Sequence, residues 1–195
     1  MPTYEGPLGW VAAKVMVRMN AAAETEAVLE LAPDPAADVL VIGFGPGLGV
    51  ALLAERLPRG HVSGVDPSTV MLREATRRNR PAIRHGRVEL RSGSTAALPY
   101  PDQAFDAALT VNTIQLWQPF DRSVAEVARV LRPGARLVSV THDWAIRRRT
   151  GMDVEKWAAH TTETFARHGF VDVRHWRARA ERGRSVALVA RRNQD

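Results

Sequence analysis

Four glycines at alternate positions form the first stretch of this chain that could do chemistry. Gly43, Gly45, Gly47 and Gly49 follow an apolar run, Val39–Ile42, and precede an apolar helical pattern. A strand that passes through glycines into a helix brings bare backbone N–H groups and a helix N-terminus up to a ligand. Glycine is needed there because it tolerates positive φ and lets a ligand approach the backbone closely.

The spacing of these glycines excludes two common nucleotide-binding motifs. A phosphate-binding P-loop ends in Gly-Lys-Ser/Thr, and this stretch has no lysine. The dinucleotide pattern G-x-G-x-x-G would need its third glycine at Leu48 or Val50, depending on where the count starts. What remains is G-x-G-x-G, which by itself is also compatible with a simple tight turn.

Four polar residues come at the ends of other predicted strands: Asp66, Ser94, Asn112 and His142. Because ligands of open parallel sheets bind beyond the carboxyl ends of the strands, we expect these residues and the glycines to line one crevice. His142, which we expect at the mouth of this crevice, is the best candidate for a general base, since imidazole titrates near neutral pH. An ordinary loop histidine is the alternative, and the neighbouring Asp143 should point away from it.

Alternating strand and helix patterns predict how these residues are positioned. Helical spacing covers residues 8–31, with Asn20 as a candidate break and prolines after the end. Ser68 is the expected N-cap of the helix that follows Asp66, and Arg132-Pro-Gly-Ala135 fits a tight turn with proline and then glycine in the middle. Further helices are expected at 121–131 and 154–168, and strands at 39–42, 61–65, 87–91, 104–111, 136–141, 171–177 and 185–190.

This order predicts an α/β fold, a Rossmann-like doubly wound seven-stranded sheet that is mostly parallel. The short, glycine-containing link at 181–184 makes the final pair a hairpin, so the last strand should be antiparallel. We expect a single domain over residues 1–195. Within it, residues 1–36 form an N-terminal helical cap and residues 37–195 form the core.

Composition narrows the function classes. The chain has 195 residues, of which 45% are hydrophobic, and no cysteine, which excludes disulfides and thiolate chemistry. Its net charge is +6, but nearly all positive residues are arginines scattered over several helices, so we expect solvated arginines rather than a nucleic-acid site. With no signal-peptide pattern and no membrane-spanning run, we expect a cytoplasmic protein.

Four segments together resemble the class I S-adenosylmethionine (SAM)-dependent methyltransferases, in the small-molecule subtype similar to the ubiquinone/menaquinone enzymes. The segments are Val39-Leu-Val-Ile-Gly-Phe-Gly-Pro-Gly, Gly64-Val-Asp-Pro-Ser, Gly93-Ser-Thr-Ala-Ala-Leu-Pro-Tyr-Pro-Asp-Gln-Ala-Phe-Asp106 and Leu131-Arg-Pro-Gly-Ala-Arg-Leu-Val138. The agreement extends over roughly residues 38–190. It implies SAM as cofactor, S-adenosylhomocysteine (SAH) as product, and methyl transfer to oxygen, nitrogen or carbon of a small molecule.

The resemblance also implies roles for individual residues. Cofactor contacts are expected from Gly43, Phe44, Gly45, Gly47, Asp66, Pro67, Met71, Ser94, Thr95 and Asn112. Asp66 would accept from the ribose hydroxyls, although an aspartate that merely stabilises a helix N-terminus is the alternative. Substrate contacts are expected from Trp10, Asn20, Trp117 and Trp144, with the N-terminal helices as a lid and no metal site.

Two positions depart from the family pattern. The family usually has an acid where this chain has Val41, and an aspartate where this chain has Ser94. A charge-assisted hydrogen bond is worth about 1.5–3 kcal/mol, so we expect SAM to bind more weakly than in typical members.

Two other functions stay open. The residues at positions 41 and 94 are compatible with a fold relative that has lost methyl transfer and uses its pocket for cyclisation or rearrangement. The net charge is compatible with an RNA or protein methyltransferase. However, the N/D-P-P-Y/F signature often used for methylation of RNA nitrogens is replaced here by Asn112-Thr-Ile-Gln. Homodimer formation is also left open.

Overall fold

A computed structural model describes residues 20–179 and 184–194. A seven-stranded sheet runs through the middle of this part of the chain, in the order β3-β2-β1-β4-β5-β7-β6. Its strands are β1 (Asp38–Ile42), β2 (His61–Asp66), β3 (Val88–Ser92), β4 (Phe105–Val111), β5 (Leu131–His142), β6 (Phe170–Arg177) and β7 (Ser185–Arg192). Strands β1 to β5 pair in parallel, and β7 pairs antiparallel with both β5 and β6. The predicted fold class is confirmed.

Helices cover both faces of the sheet. They are α1 (residues 20–31), α2 (Leu48–Arg56), α3 (Thr69–Arg78), α4 (Arg80–Arg84), α5 (Phe120–Val130), α6 (Asp143–Thr150) and α7 (Val154–Arg167), with a short 3-10 helix at Ile114–Leu116. None of these helices, in the residues described, has the length and apolar character needed to cross a bilayer.

The alternation of side chains along β1 divides the core into two layers. Val39 and Val41 pack on one face with apolar residues of α1, α2 and α3. Leu40 and Ile42 pack on the other face with residues of α5, α6 and α7. Because both faces are covered, the central parallel strands β1 and β4 are mostly apolar and buried on both sides, as expected for the parallel part of a sheet.

Two local predictions from turn and cap chemistry are confirmed. The Ser68 hydroxyl accepts a hydrogen bond from Met71 N at 3.3 Å and caps α3. Gly134, in the predicted Pro-Gly turn, has a φ of +80°, the value that the second central residue of a type II turn requires.

Some elements differ from the sequence prediction. Helix α6 directly follows β5 and was not predicted, because Ala145 and Ile146 are its only buried residues and three arginines make up much of the rest. Strand β5 begins at Leu131, earlier than expected, since Leu131 pairs with Phe105 before the Pro-Gly turn shifts the register. Residues 8–19 of the predicted first helix lie outside the described part of the chain.

Candidate functional site

The glycine turn between β1 and α2 is built from backbone conformations that glycine favours. Gly43, Gly45 and Gly47 have φ values of +68°, +50° and +80°. A Cβ at Gly43 would stand 2.4 Å from the Thr113 methyl carbon, so the chain after β4 packs directly on this turn. Conformation and close approach therefore explain the glycines at these positions.

The N-terminus of α2 has no side-chain cap among the described residues. Its N-cap is Gly47, and its first turn holds no acidic residue. The first N–H groups of a helix have no partner within the helix, and together with the helix dipole they favour an anionic group. A carboxylate or phosphate is the complementary ligand at this point.

Asp66, at the end of β2, is tied to the same turn. It is 7% exposed, and its two carboxylate oxygens accept from Gly45 N at 2.9 Å and Ser68 N at 2.8 Å. Burial raises the pKa of this carboxyl, while the two backbone N–H groups lower it. Each carboxylate oxygen can accept a second hydrogen bond, so Asp66 can also accept a hydrogen bond from a hydroxyl group of a ligand.

Three residues that we expected to contact the cofactor lie near Asp66 and differ in their exposure. Pro67 is exposed beside it, and Met71 is buried one turn into α3. The Phe44 side chain is buried against Gly64, whose Cβ position would lie 2.8 Å from the ring. Only the backbone of Phe44 is therefore available to a ligand.

The loop after β3 is held by two residues that sequence reasoning missed. Glu126 Oε2 accepts from Leu98 N at 2.8 Å, and Arg129 donates to the carbonyl oxygens of Leu98 and Tyr100 at 3.1 and 2.9 Å. Hydrogen bonding to Arg129 holds the pKa of Glu126 below its usual value. This clamp fixes the loop that carries the exposed Ser94 and the half-buried Thr95, although no local sequence signal marks it.

Asn112 joins three elements at the carboxyl ends of the strands. It has a φ of +54°, and its Oδ1 accepts from His142 N at 2.8 Å. Its Nδ2 donates to Asn20 Oδ1 at 3.0 Å. β4, β5 and α1 are thereby connected through one amide side chain.

His142 lies inside this network rather than at an open mouth. It is 2% exposed, with Nδ1 2.8 Å from Ser185 Oγ and Nε2 3.3 Å from Asn20 Oδ1. Because Asn20 Oδ1 can only accept, this assigns the proton to Nε2 and turns the lone pair of Nδ1 toward the Ser185 hydroxyl. Asp143 instead forms an ion pair with Arg177, as the divergence of neighbouring side chains predicted.

The tryptophans expected to contact substrate are in different environments. Trp144 is 55% exposed and stacks on His142 with 6.0 Å between ring centroids. Trp117 is buried, and its indole N–H has no partner in the described residues; the same holds for Oε1 of the buried Gln115. Trp10 lies outside the described part of the chain.

Neither a metal site nor either of two open depressions lies at this crevice in the described residues. No group of three or more possible ligands could hold a metal ion there. Open depressions of about 410 and 500 Å³ are lined by residues such as Asp106 and Arg136, or Trp176 and Val189. Both lie away from the glycine turn, and the first is at the opposite, amino-terminal ends of the strands.

Comparison with known proteins gives three similarities. The family model described as "Methyltransferase domain" matches residues 40–139. An uncharacterised 37.1 kDa protein in a Streptomyces fradiae transposon is 33% identical over 161 residues, which is 80% of this chain and 45% of that protein. The ubiquinone/menaquinone biosynthesis C-methyltransferase UbiE of Syntrophotalea carbinolica is 37% identical over 112 residues, 57% of this chain and 46% of the enzyme.

Among solved structures, the [4+2]-cyclase SpnF superposes with a TM-score of 0.72 at 23% identity, covering 90% of this chain and 82% of the cyclase. That likeness shows a shared fold. The chain spans about half the length, or less, of the curated relatives it matches.

Proposed function

Because this chain belongs to the methyltransferase domain family, we propose that it uses SAM to methylate a small molecule. The observation that carries this proposal is the hydrogen bond from Gly45 N to Asp66, which joins the glycine turn to the end of β2. It places an acceptor for hydroxyl groups next to a helix N-terminus suited to an anion. A nucleoside that carries an amino-acid group needs both features.

The residues present fit SAM. The uncapped N-terminus of α2 suits the cofactor carboxylate, and Asp66 suits the ribose hydroxyls. Met71, Ser94 and Thr95 are the residues that we assign to the adenine. When bound, SAM supplies an electrophilic methyl group on a sulfonium sulfur.

The protein's own part in such a reaction is to hold the acceptor close and in line. The Asn20–Asn112–His142 network keeps α1 over the carboxyl ends of β4 and β5, so α1 can act as the lid. Exposed Trp144 is the aromatic surface available to an apolar acceptor at this edge. For His142 to serve as general base, its contact with Asn20 or Ser185 would have to open, which makes positioning its main role.

The acceptor that we propose is a small molecule methylated at oxygen, nitrogen or carbon. A quinone-like ring is one candidate class, since a relative at 37% identity is a ubiquinone/menaquinone biosynthesis C-methyltransferase. Trp144 would suit such a planar ring, because aromatic faces stack in offset or edge-on arrangements.

Calorimetry with SAM and SAH tests the cofactor assignment. Wild type should bind both, and Asp66→Asn should bind at least about tenfold more weakly, since one charge-assisted hydrogen bond is worth roughly 1.5–3 kcal/mol. Asp172→Asn, on the distant strand β6, is the matched control and should bind as wild type does. If wild type binds neither compound at millimolar concentration, methyl transfer is ruled out.

Transfer of a labelled methyl group from SAM to a panel of quinones, phenols, amines and carboxylic acids tests the acceptor class. A protein that binds SAH but methylates no member of a broad panel would instead fit the alternative of a fold relative with altered chemistry. The likeness to SpnF is compatible with that alternative and does not favour it.

A further inference from the structure

Glu24, on α1, lies directly against the helix that follows the glycine turn. A Cβ at Gly49 would stand 2.3 Å from Glu24 Oε2, so the carboxyl group rests on the bare backbone of α2. The neighbouring residues Ala23 and Ala27 anchor α1 in the same apolar cluster as Val41 of β1. Residue 49 is therefore glycine because a larger side chain would displace this carboxyl group.

No hydrogen bond or ion pair of Glu24 occurs within residues 20–179 and 184–194, unlike the other glutamates of α1. Glu26 accepts from Arg179 N, and Glu30 pairs with Arg136. Burial alone raises the pKa of Glu24 to about 8, from 4.5. No group in the described part of the chain thus compensates the charge of this carboxylate.

The other titratable groups at this edge of the sheet are already engaged. Asp66 on β2 accepts hydrogen bonds from two backbone N–H groups. His142 on β5 is hydrogen-bonded to Ser185, and Asp143 forms an ion pair with Arg177. Glu24 Oε2 and the apolar side chain of Leu109 on β4 are the described side-chain atoms nearest to a Cβ at Gly49, and neither Gly49 nor Leu109 carries charge. Within the described residues, this environment holds no cationic group that pairs with Glu24, and a cationic group of a ligand would fill that role.

We propose that Glu24 binds the ammonium group of the cofactor's amino-acid end and that α1 thereby supplies the acid that β1 lacks at Val41. This rests on the proposed function, since it takes SAM or SAH as the ligand. The amino-acid end carries one carboxylate and one ammonium group on the same carbon. The N-terminus of α2, which no described side chain caps, matches the first, and the adjacent Glu24 carboxylate matches the second.

The proposal predicts that binding releases a proton. With a pKa of about 8 in the free protein, Glu24 is mostly protonated at pH 7. Pairing with an ammonium group requires the ionised form, so the proton passes to the buffer. Binding at pH 7 should therefore release up to ~0.9 proton per ligand, and affinity should rise between pH 6 and pH 8.

Calorimetry of SAH binding at pH 7 in phosphate and in Tris measures this release, because the two buffers take up protons with different heats. Wild type should release close to one proton. Glu24→Gln should release none and bind SAH about ten- to a hundredfold more weakly, the loss expected for one charge-assisted hydrogen bond. Glu55→Gln, the same change at an exposed site of α2, should match wild type.

A second ligand separates the ammonium contact from a general effect on the site. Methylthioadenosine shares the nucleoside but lacks the amino-acid end, so it should bind wild type and Glu24→Gln equally and release no proton. Glu24→Asp, which keeps the charge on a shorter side chain, should retain part of the proton release. Melting curves of both variants confirm that they are folded.

The two proposals fail in different ways. If SAH binds wild type without releasing a proton, and Glu24→Gln binds it equally well, the role of Glu24 is refuted while SAM use stands. If Glu24→Gln weakens methylthioadenosine and SAH alike, Glu24 supports the turn and does not contact the ammonium group. If wild type binds neither SAM nor SAH, both proposals are wrong.

Discussion

Replacement of Gly47 by alanine tests whether the glycine turn is constrained by its neighbours as well as by its backbone. Gly47 has a φ of +80°, and an added Cβ would stand 2.7 Å from Asn79 Nδ2 and 2.8 Å from Ala75 Cβ. The Ala75 Cα is also within 2.9 Å, so a side-chain rotation cannot relieve the contact. Asn79 cannot withdraw freely either, because its Nδ2 donates to the Gly47 carbonyl oxygen at 3.0 Å.

Two costs add in this variant. A non-glycine residue in the left-handed region costs about 1–2 kcal/mol, and overpacking of a tight contact costs about 1–3 kcal/mol. We therefore expect Gly47→Ala to lower the free energy of unfolding by about 2–5 kcal/mol, or the melting temperature by roughly 4–20 °C for a chain of this size. Because the turn would shift, SAH affinity should fall as well.

Gly86→Ala is the matched control. Gly86 has a similar φ of +68°, but an added Cβ would have nothing within 4 Å, so only the conformational cost of about 1–2 kcal/mol applies. Urea unfolding of both variants measures the difference, and calorimetry measures SAH binding. Equal destabilisation of the two variants would show that crowding around Gly47 is not significant, which would refute the reasoning.

Three further predictions concern single side chains. Asp66→Asn should lower the free energy of unfolding by about 1–3 kcal/mol, because its amide NH₂ would face one of the two backbone N–H groups that now donate to the carboxylate, and two donors cannot pair. An unchanged urea midpoint would contradict this. The pKa of Glu24 is about 8 in the folded protein and 4.5 ordinarily, so the wild type should lose stability relative to Glu24→Gln as pH rises from 5 to 8, by at most ~1.4 kcal/mol per pH unit. Urea midpoints of both proteins at pH 5 and pH 8 test this, and parallel pH profiles would contradict it. Arg129→Lys should lower the free energy of unfolding by about 1–3 kcal/mol, because lysine cannot reproduce the planar guanidinium that holds the loop after β3. Thermal melting tests this, and a shift of the melting temperature below about 1 °C would contradict it.

Much of the fold could be predicted because its signals are local. The apolar run at Val39–Ile42, the capping Ser68 and the Pro-Gly turn at Gly134 each act within a few residues, so they can be recognised along the chain. Helix α6 escaped prediction because it has no continuous apolar stripe. The start of β5 escaped because pairing with β4, rather than local preference, extends it.

The candidate site was predicted less completely. The strand-end rule placed Asp66, Asn112 and His142 at one edge of the sheet, but it could not assign their partners. His142 was predicted as an accessible base, whereas the structure buries it between Ser185 and Asn20, which are 43 and 122 positions away.

The sequence by itself determined the order of the strands, the conformation of the glycine turn and the family, because these depend on residue type and short-range spacing. Only the tertiary structure decided which partner each polar group contacts. The contact of Glu24 with Gly49, the clamp of Arg129 on the loop after β3 and the Asn20–Asn112 bond each join distant segments. Such contacts arise when helices pack on a common sheet, and the spacing of residues along the chain carries no direct record of them.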